Sequence, residues 1–182
     1  MRIITGTARG RRLKSPKGDE SRPTADSVKE AIFSAIQFEI EGAVVADLFA
    51  GTGQLGIEAL SRGAKRAYFV ENSPEAVVII RENLKLCGFS EKSEISSLSV
   101  AAFLKKAAGK KFDIAFVDPP YGQDLTNRTL PLLVPLMNEN GIIVCEHEKE
   151  YKPAERINNY AVYKTYKHGK TYITIYRENE EV

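Results

Sequence analysis

The 182 residues are 43% hydrophobic and 27% charged with a formal net charge of +2, a balance that fits one globular domain and excludes a disordered chain or a collagen-like repeat. No apolar run approaches the roughly 18 residues that a membrane span needs, and the opening Met1-Arg2-Ile3-Ile4-Thr5-Gly6 has no apolar signal core, so a cytoplasmic protein is expected. The two cysteines, Cys87 and Cys145, stand alone inside apolar stretches, which speaks against a disulfide framework or a zinc site.

The charge is unevenly placed. Residues 1–23 hold Arg2, Arg9, Arg11, Arg12, Lys14, Lys17 and Arg22 against Asp19 and Glu20, a net +5 that leaves −3 for the rest of the chain. Such an arm points to an anionic partner, with a solvated basic tail as the alternative. A polar cap at Thr24 then precedes Val28, Ile32, Ala35 and Ile36 at helical spacing, which predicts a helix running to about Ile40.

From Gly42 onward short apolar runs alternate with helical patterns. Val44 to Leu48 reads as a strand, followed by a glycine-rich turn and a helix over Leu55 to Ser61. Ala67 to Val70 is the next strand. Ser73-Pro74 supplies an N-cap with proline at the first helical position, and that helix extends to Leu86 with Gly88 as its stop. The rhythm continues through a strand over Ser93 to Leu98, a helix around Phe103, a strand over Phe112 to Val117, a proline-interrupted helix over Leu130 to Met137 and a strand over Ile142 to Cys145. Repeated β-then-α units predict a parallel sheet with helices on both faces. Tyr160 to Tyr166 and Thr171 to Tyr176, joined by a polar loop containing Gly169, predict a closing antiparallel hairpin.

Two motifs carry chemistry. Asp47-Leu48-Phe49-Ala50-Gly51-Thr52-Gly53-Gln54-Leu55-Gly56 lies where a strand gives way to a helix, and its glycines let the backbone approach a ligand at a helix N-terminus. Gly51, Gly53 and Gly56 also satisfy G-x-G-x-x-G, so a dinucleotide site competes, as does a purely structural turn. Glu71, at the end of the following strand, is placed to accept both ribose hydroxyls of an adenosine-containing cofactor. Asp118-Pro119-Pro120-Tyr121 follows the fourth strand, at the edge where open α/β sheets bind ligands. Its prolines fix the backbone. If Asp118 and the Pro119 carbonyl each accept one N–H of a nucleobase amine, the nitrogen lone pair is freed toward an electrophilic methyl group, and Tyr121 can stack on the extruded base. A proline turn with Tyr121 merely packed is the structural alternative.

The chain resembles the 16S ribosomal RNA guanine-N2 methyltransferases, S-adenosylmethionine-dependent enzymes of the class I methyltransferase fold. The likeness runs through Arg2-Ile3-Ile4 with Gly6, Arg9-Gly10-Arg11, Arg22-Pro23-Thr24, Asp47 to Gly56, Glu58-Ala59-Leu60-Ser61-Arg62-Gly63-Ala64 and Asp118 to Tyr121. It implies a Rossmann-like, seven-stranded, mostly parallel sheet ending in an antiparallel hairpin. Residues 41–182 would form the methyltransferase domain, with residues 1–40 as a basic extension and helix packed on it. It further implies a cofactor site of Asp47, Phe49, Ala50, Gly51, Thr52, Gly53, Glu71, Asn72 and Ser99, with serine where such enzymes often place Asp or Asn. Asp118, Pro119, Pro120 and Tyr121 would be catalytic, and Arg2, Arg9, Arg11, Arg12, Arg22 and Thr24 would meet 16S rRNA.

Adenine-N6 methylation of DNA fits the Asp-Pro-Pro-Tyr motif too, but leaves no room for a sequence-reading domain. A Rossmann oxidoreductase using NAD leaves that motif unexplained, and a catalytically dead RNA-binding module leaves the intact acidic and proline residues without a role. His147 and His168 read as isolated surface histidines, and Glu146, Glu148 and Glu150 as part of a solvated charged loop, with no metal site and no nucleophile triad. A monomer is expected.

Overall fold

A computed structural model describes residues 1–16 and 24–179; Arg22 and the side chain of Thr24 fall outside the described residues. One eight-stranded sheet organises the chain, with β1 (Val44–Leu48), β2 (Arg66–Val70), β3 (Ser93–Ser96), β4 (Phe112–Val117), β5 (Met137–Glu148), β6 (Arg156–Ile157), β7 (Tyr160–His168) and β8 (Thr171–Glu178) in the order β3-β2-β1-β4-β5-β8-β7-β6. The first five strands are parallel, and β5 to β8 pair antiparallel. This is the expected α/β architecture with one more strand, because the two-residue β6 adds a short edge to β7.

Alternate residues of each central strand feed opposite faces, which is why both faces read as apolar. Val45, Phe69, Ile114, Phe116 and Val144 pack under α1 (Thr24–Ala35), α2 (Gln54–Ser61) and α3 (Pro74–Cys87). Ala46, Leu48, Val70, Ala115 and Val117 pack under α4 (Val100–Lys106) and α5 (Leu125–Leu133). Ser73 caps α3 by accepting the Ala76 amide, and Gly88 ends it in the left-handed region. No helix among the described residues is long and apolar enough to cross a membrane.

Several boundaries differ from the sequence expectation. Helix α1 stops at Ala35; the turn after it keeps Ile36 and Ile40 in the core while Phe38 stands 90% exposed. Helix α5 starts at Leu125, earlier than expected, and its Thr126 and Thr129, polar by type, are buried. The largest correction is β5. It runs to Glu148, pairing with β8 from Ile142↔Arg177 to Glu148↔Thr171, so Glu146, His147 and Glu148 are strand residues and not a solvated loop. His147 is 5% exposed and not a surface residue. Its Nδ1 meets the Glu148 carbonyl at 2.8 Å and its Nε2 the Thr174 hydroxyl at 2.9 Å. A carbonyl only accepts, so Nδ1 carries the proton, and burial lowers the ring's pKa and keeps it neutral.

The basic N-terminal segment is folded onto the domain. Ile3 donates to the Arg11 carbonyl and Gly10 to that of Ile3, closing residues 1–13 into a hairpin that buries Ile3, Ala8 and Leu13. It docks on α2 through Glu58, a fully buried carboxylate. Glu58 accepts the Ile4 amide at 2.8 Å, the Thr5 amide at 3.0 Å and Arg62 Nε at 2.9 Å, with Lys29 Nζ at 3.6 Å. Burial lowers the Lys29 pKa against the pull of Glu58 and Asp26. Gly6 has φ of +86°, and a Cβ there would lie 1.8 Å from the Ser61 carbonyl oxygen, so only glycine fits. These contacts explain the Glu58-to-Ala64 stretch structurally, since Glu58 and Ser61 hold the amino-terminal hairpin in place.

Candidate active site

Strand β1 lies between β2 and β4, the switch point at whose carboxyl end α/β sheets form their crevice. Leaving β1, the chain turns through Phe49 at φ of +62°, a left-handed conformation that costs a non-glycine residue about 1–2 kcal/mol. Ala50 donates to the Val70 carbonyl at 3.0 Å and Gly53 to that of Ala50 at 2.7 Å, so the loop is pinned before α2 begins. Gly56 serves packing: a Cβ there would sit 2.4 Å from Phe69 Cε1.

Asp47 is 2% exposed, and its carboxylate accepts the Gly56 amide at 2.8 Å. Burial pushes its carboxyl up to about 7 against that hydrogen bond. Glu71 ties two elements together. Its Oε2 accepts the Gly51 amide at 2.9 Å and its Oε1 the Ser73 amide at 2.8 Å, joining the glycine loop to the start of α3. Asn83, fully buried, clamps the same loop to the amino-terminal hairpin: its side-chain amide donates to the Thr52 and Lys14 carbonyls, and its oxygen accepts the Lys14 amide.

At the other end, Asp118 leaves β4 and enters a rigid turn. Tyr121 donates its hydroxyl to Glu146 Oε1 at 3.0 Å, and the Thr171 hydroxyl lies 3.0 Å from the same Tyr121 oxygen. Burial raises the Tyr121 pKa, with the Glu146 charge adding to it. The Gly122 amide donates to Glu148 Oε2 at 3.0 Å. Sequence reasoning assigned no role to the Tyr121 hydroxyl; the structure makes it the anchor that fixes the ring against β5 and β8.

A cavity of about 1390 Å³ joins the two ends. Of the sequence-derived site residues, Phe49, Gly51, Glu71, Asn72, Ser99 and Asp118 to Tyr121 line it. Asp47, Ala50, Thr52 and Gly53 stand behind its wall, supporting the loop. Ser99 caps α4 by accepting the Ala102 amide at 3.3 Å. Arg2, Arg9, Arg11 and Arg12 are exposed on the amino-terminal hairpin; Arg2 Nε lies 3.9 Å from Asp26, and Arg11 donates to the Leu86 carbonyl. Met1, Lys29, Gln54, Glu146, Glu148 and Lys170 also line the cavity and were missed from sequence. Among the described residues no group of three His, Cys, Asp or Glu side chains is placed to hold a metal.

Two features of the cavity suit an adenosine-type cofactor with a charged amino-acid end. A Cβ on Gly51 would project into open space, so the missing side chain leaves room for a ligand against the backbone. Gln54 Oε1 is buried in the wall with no hydrogen-bond partner, an acceptor that a ligand ammonium would satisfy.

Known proteins bear on this geometry. The family described as conserved hypothetical protein 95 matches residues 1–177. The chain is 36% identical over 168 residues to ribosomal RNA small subunit methyltransferase D of Haemophilus influenzae, covering 90% of this chain and 86% of that one. Among solved structures it is similar to yhhF of Escherichia coli, with a TM-score of 0.88, 31% identity and coverage of 100% and 99%. An RNA methyltransferase from Salinibacter ruber in complex with S-adenosyl-L-homocysteine shares the fold, with a TM-score of 0.67, 17% identity and coverage of 93% and 96%.

Proposed function

The chain belongs to the conserved hypothetical protein 95 family, and on that premise we propose that it transfers the methyl group of S-adenosylmethionine to the N2 amine of a guanine in 16S ribosomal RNA. The observation that carries the reading is one continuous cavity with the glycine loop and Glu71 at one end and Asp118 to Tyr121 at the other. The relative from Haemophilus influenzae is named for small-subunit ribosomal RNA methylation, which supports the substrate class. Residues 41–182 act as the methyltransferase domain with residues 1–40 as its basic extension. The protein acts as a monomer in the cytoplasm, and no metal takes part.

The cofactor supplies an electrophilic methyl carbon on a sulfonium. Glu71 receives the ribose hydroxyls, Gly51 and Gln54 face the amino-acid end, and Ser99 lies on the adenine side. Asp118 and the Pro119 carbonyl each accept one N–H of the guanine amine, so its lone pair turns from the ring toward the methyl carbon. The N–C bond forms as the S–C bond breaks, and the surplus proton leaves through the Asp118 carboxylate. Alignment provides much of the acceleration in such a displacement, so no covalent intermediate on the protein is required. Tyr121 stacks on the base. Glu146 and Glu148 place carboxylate acceptors at this end, which suits the N1–H donor of guanine and opposes adenine, whose N1 is an acceptor.

Mass spectrometry of small-subunit ribosomal RNA from cells lacking the protein tests the reading. Loss of one N2-methylguanosine is expected. Unchanged N2-methylguanosine would contradict it, and a lost N6-methyladenosine would move the reading to adenine.

A further inference from the structure

Residues 156–177 hold Arg156, Lys164, Lys167, Lys170 and Arg177 and no aspartate or glutamate, a net +5 that equals that of residues 1–23 and leaves −8 for everything else. The basic character is therefore split between two ends of the chain. In the fold, Lys164, Lys167 and Lys170 are exposed on the β7–β8 hairpin. Among the described residues none of the three forms an ion pair with a carboxylate. Two instead lean on rings: Lys164 Nζ lies 4.9 Å from the Tyr166 centroid and Lys167 Nζ 5.9 Å from that of Tyr172, which itself stacks on buried His147 at 5.7 Å. A cation over an aromatic face keeps its charge available to an outside anion while its stem is held by packing.

The hairpin tip is also a wall of the cavity. Gly169, Lys170 and Thr171 line it beside Tyr121 and Glu146, whereas Met1, Asp26 and Lys29 line it next to the amino-terminal hairpin. The Thr171 hydroxyl touches that of Tyr121, so the hairpin is continuous with the ring proposed to stack on the base. A nucleotide swung out of a folded RNA keeps a phosphate on each side of it, and both must be held while the base is extruded. We propose that the β7–β8 hairpin, through Lys164, Lys167 and Lys170, grips the RNA phosphate backbone on the side of the target nucleotide opposite the amino-terminal hairpin, so that two basic hairpins flank the cavity. This rests on the RNA-methyltransferase reading above. The lysines supply point charges to phosphate, and Glu146 and Glu148 in the cavity wall repel it, so the backbone stays outside while the base enters.

The test measures binding of a 16S ribosomal RNA transcript across a salt series for the native protein, for Lys164→Glu/Lys167→Glu/Lys170→Glu, for the milder Lys164→Gln/Lys167→Gln/Lys170→Gln, and for Lys92→Glu/Lys105→Glu/Lys106→Glu as a matched exposed control. With about 0.7 per lost phosphate contact, the log–log salt slope of the glutamine variant is expected to fall by roughly 2, with at least tenfold weaker binding at low salt. The glutamate variant should fall further. S-adenosylmethionine affinity should stay within twofold of native, which also reports that the variants are folded. The control should keep a slope near the native one. A glutamine variant with native slope and affinity, or a control that loses as much as the hairpin variants, overturns the proposal while leaving the methyltransferase reading intact. A native protein that neither binds nor methylates the transcript overturns both.

Discussion

The two ends of the cavity are made of different material. At the β1–β2 end side chains hold main chain in place: a glycine loop whose Gly51 amide is held by Glu71 and whose Thr52 carbonyl, behind the wall, is held by Asn83. At the β4–β5–β8 end it is side chains held by side chains, with Tyr121 fixed between Glu146 and Thr171. Main chain held in this way suits a ligand that is the same in every turnover, because backbone donors are placed by the fold itself. A side-chain surface suits a substrate that must be told from its close relatives. The difference predicts separate consequences: damage at the first end shows in cofactor affinity and stability, damage at the second in turnover.

The largest effect on cofactor affinity is expected from Glu71→Ala. It removes the acceptor that ties Gly51 to Ser73 and the charge proposed to meet the ribose, and should weaken S-adenosylmethionine binding by roughly 10- to 100-fold, the equivalent of about 1.5–3 kcal/mol for charged hydrogen bonds. Calorimetry gives the answer directly, and unchanged affinity would break the contrast at its first end. Next comes Gly56→Ala, whose new methyl would meet the Phe69 ring. Overpacking of this kind should cost about 1–3 kcal/mol in denaturant unfolding. Adding Phe69→Leu should restore part of the loss, whereas full independence of the two substitutions would mean that the close approach of α2 to β2 is not what Gly56 serves. The smallest effect belongs to Tyr121→Phe. Losing the bond to Glu146 loosens the ring without removing it, so kcat/KM should fall only about 3- to 10-fold, in line with roughly 1 kcal/mol for one hydrogen bond, while cofactor affinity holds. Tyr121→Ala should fall well below it, since stacking on a base is worth about 1–3 kcal/mol. Equal losses for both would sharpen the contrast differently, making the hydroxyl and not the ring what the reaction needs.

The same contrast explains what was legible in the sequence. Glycines at 51, 53 and 56 encode a backbone path over a few residues, and the Ser73-Pro74 start and Gly88 stop of α3 are equally local, so these were readable from spacing. Asp118 to Tyr121 was readable because two prolines after a strand leave few conformations. Glu146, His147 and Glu148 were not. Their types resemble a solvated run, and only the register with β8, set by residues 171–177, shows that alternate positions face the cavity and the buried Thr174. Glu58 was hidden for a similar reason: the amides that satisfy it belong to Ile4 and Thr5, more than fifty residues earlier. The buried trio Ile3, Ala8 and Leu13 has neither helical nor strand spacing, so the amino-terminal segment reads as basic when only its charges are counted. Gly6 and Gly10, both with positive φ, were the one local signal that the segment turns back on itself.

Methyl transfer to a guanine amine held by Asp118 is tested most directly with purified protein, unmodified small-subunit ribosomal RNA and S-adenosylmethionine carrying a labelled methyl group, followed by nucleoside analysis of the product. The native protein is expected to place label in N2-methylguanosine alone. Asp118→Ala should bind the cofactor as the native protein does yet transfer the methyl group on the order of 10³-fold more slowly, within the range that a positioned proton acceptor contributes. Label in any other nucleoside, or an Asp118→Ala variant that turns over at the native rate, would contradict it.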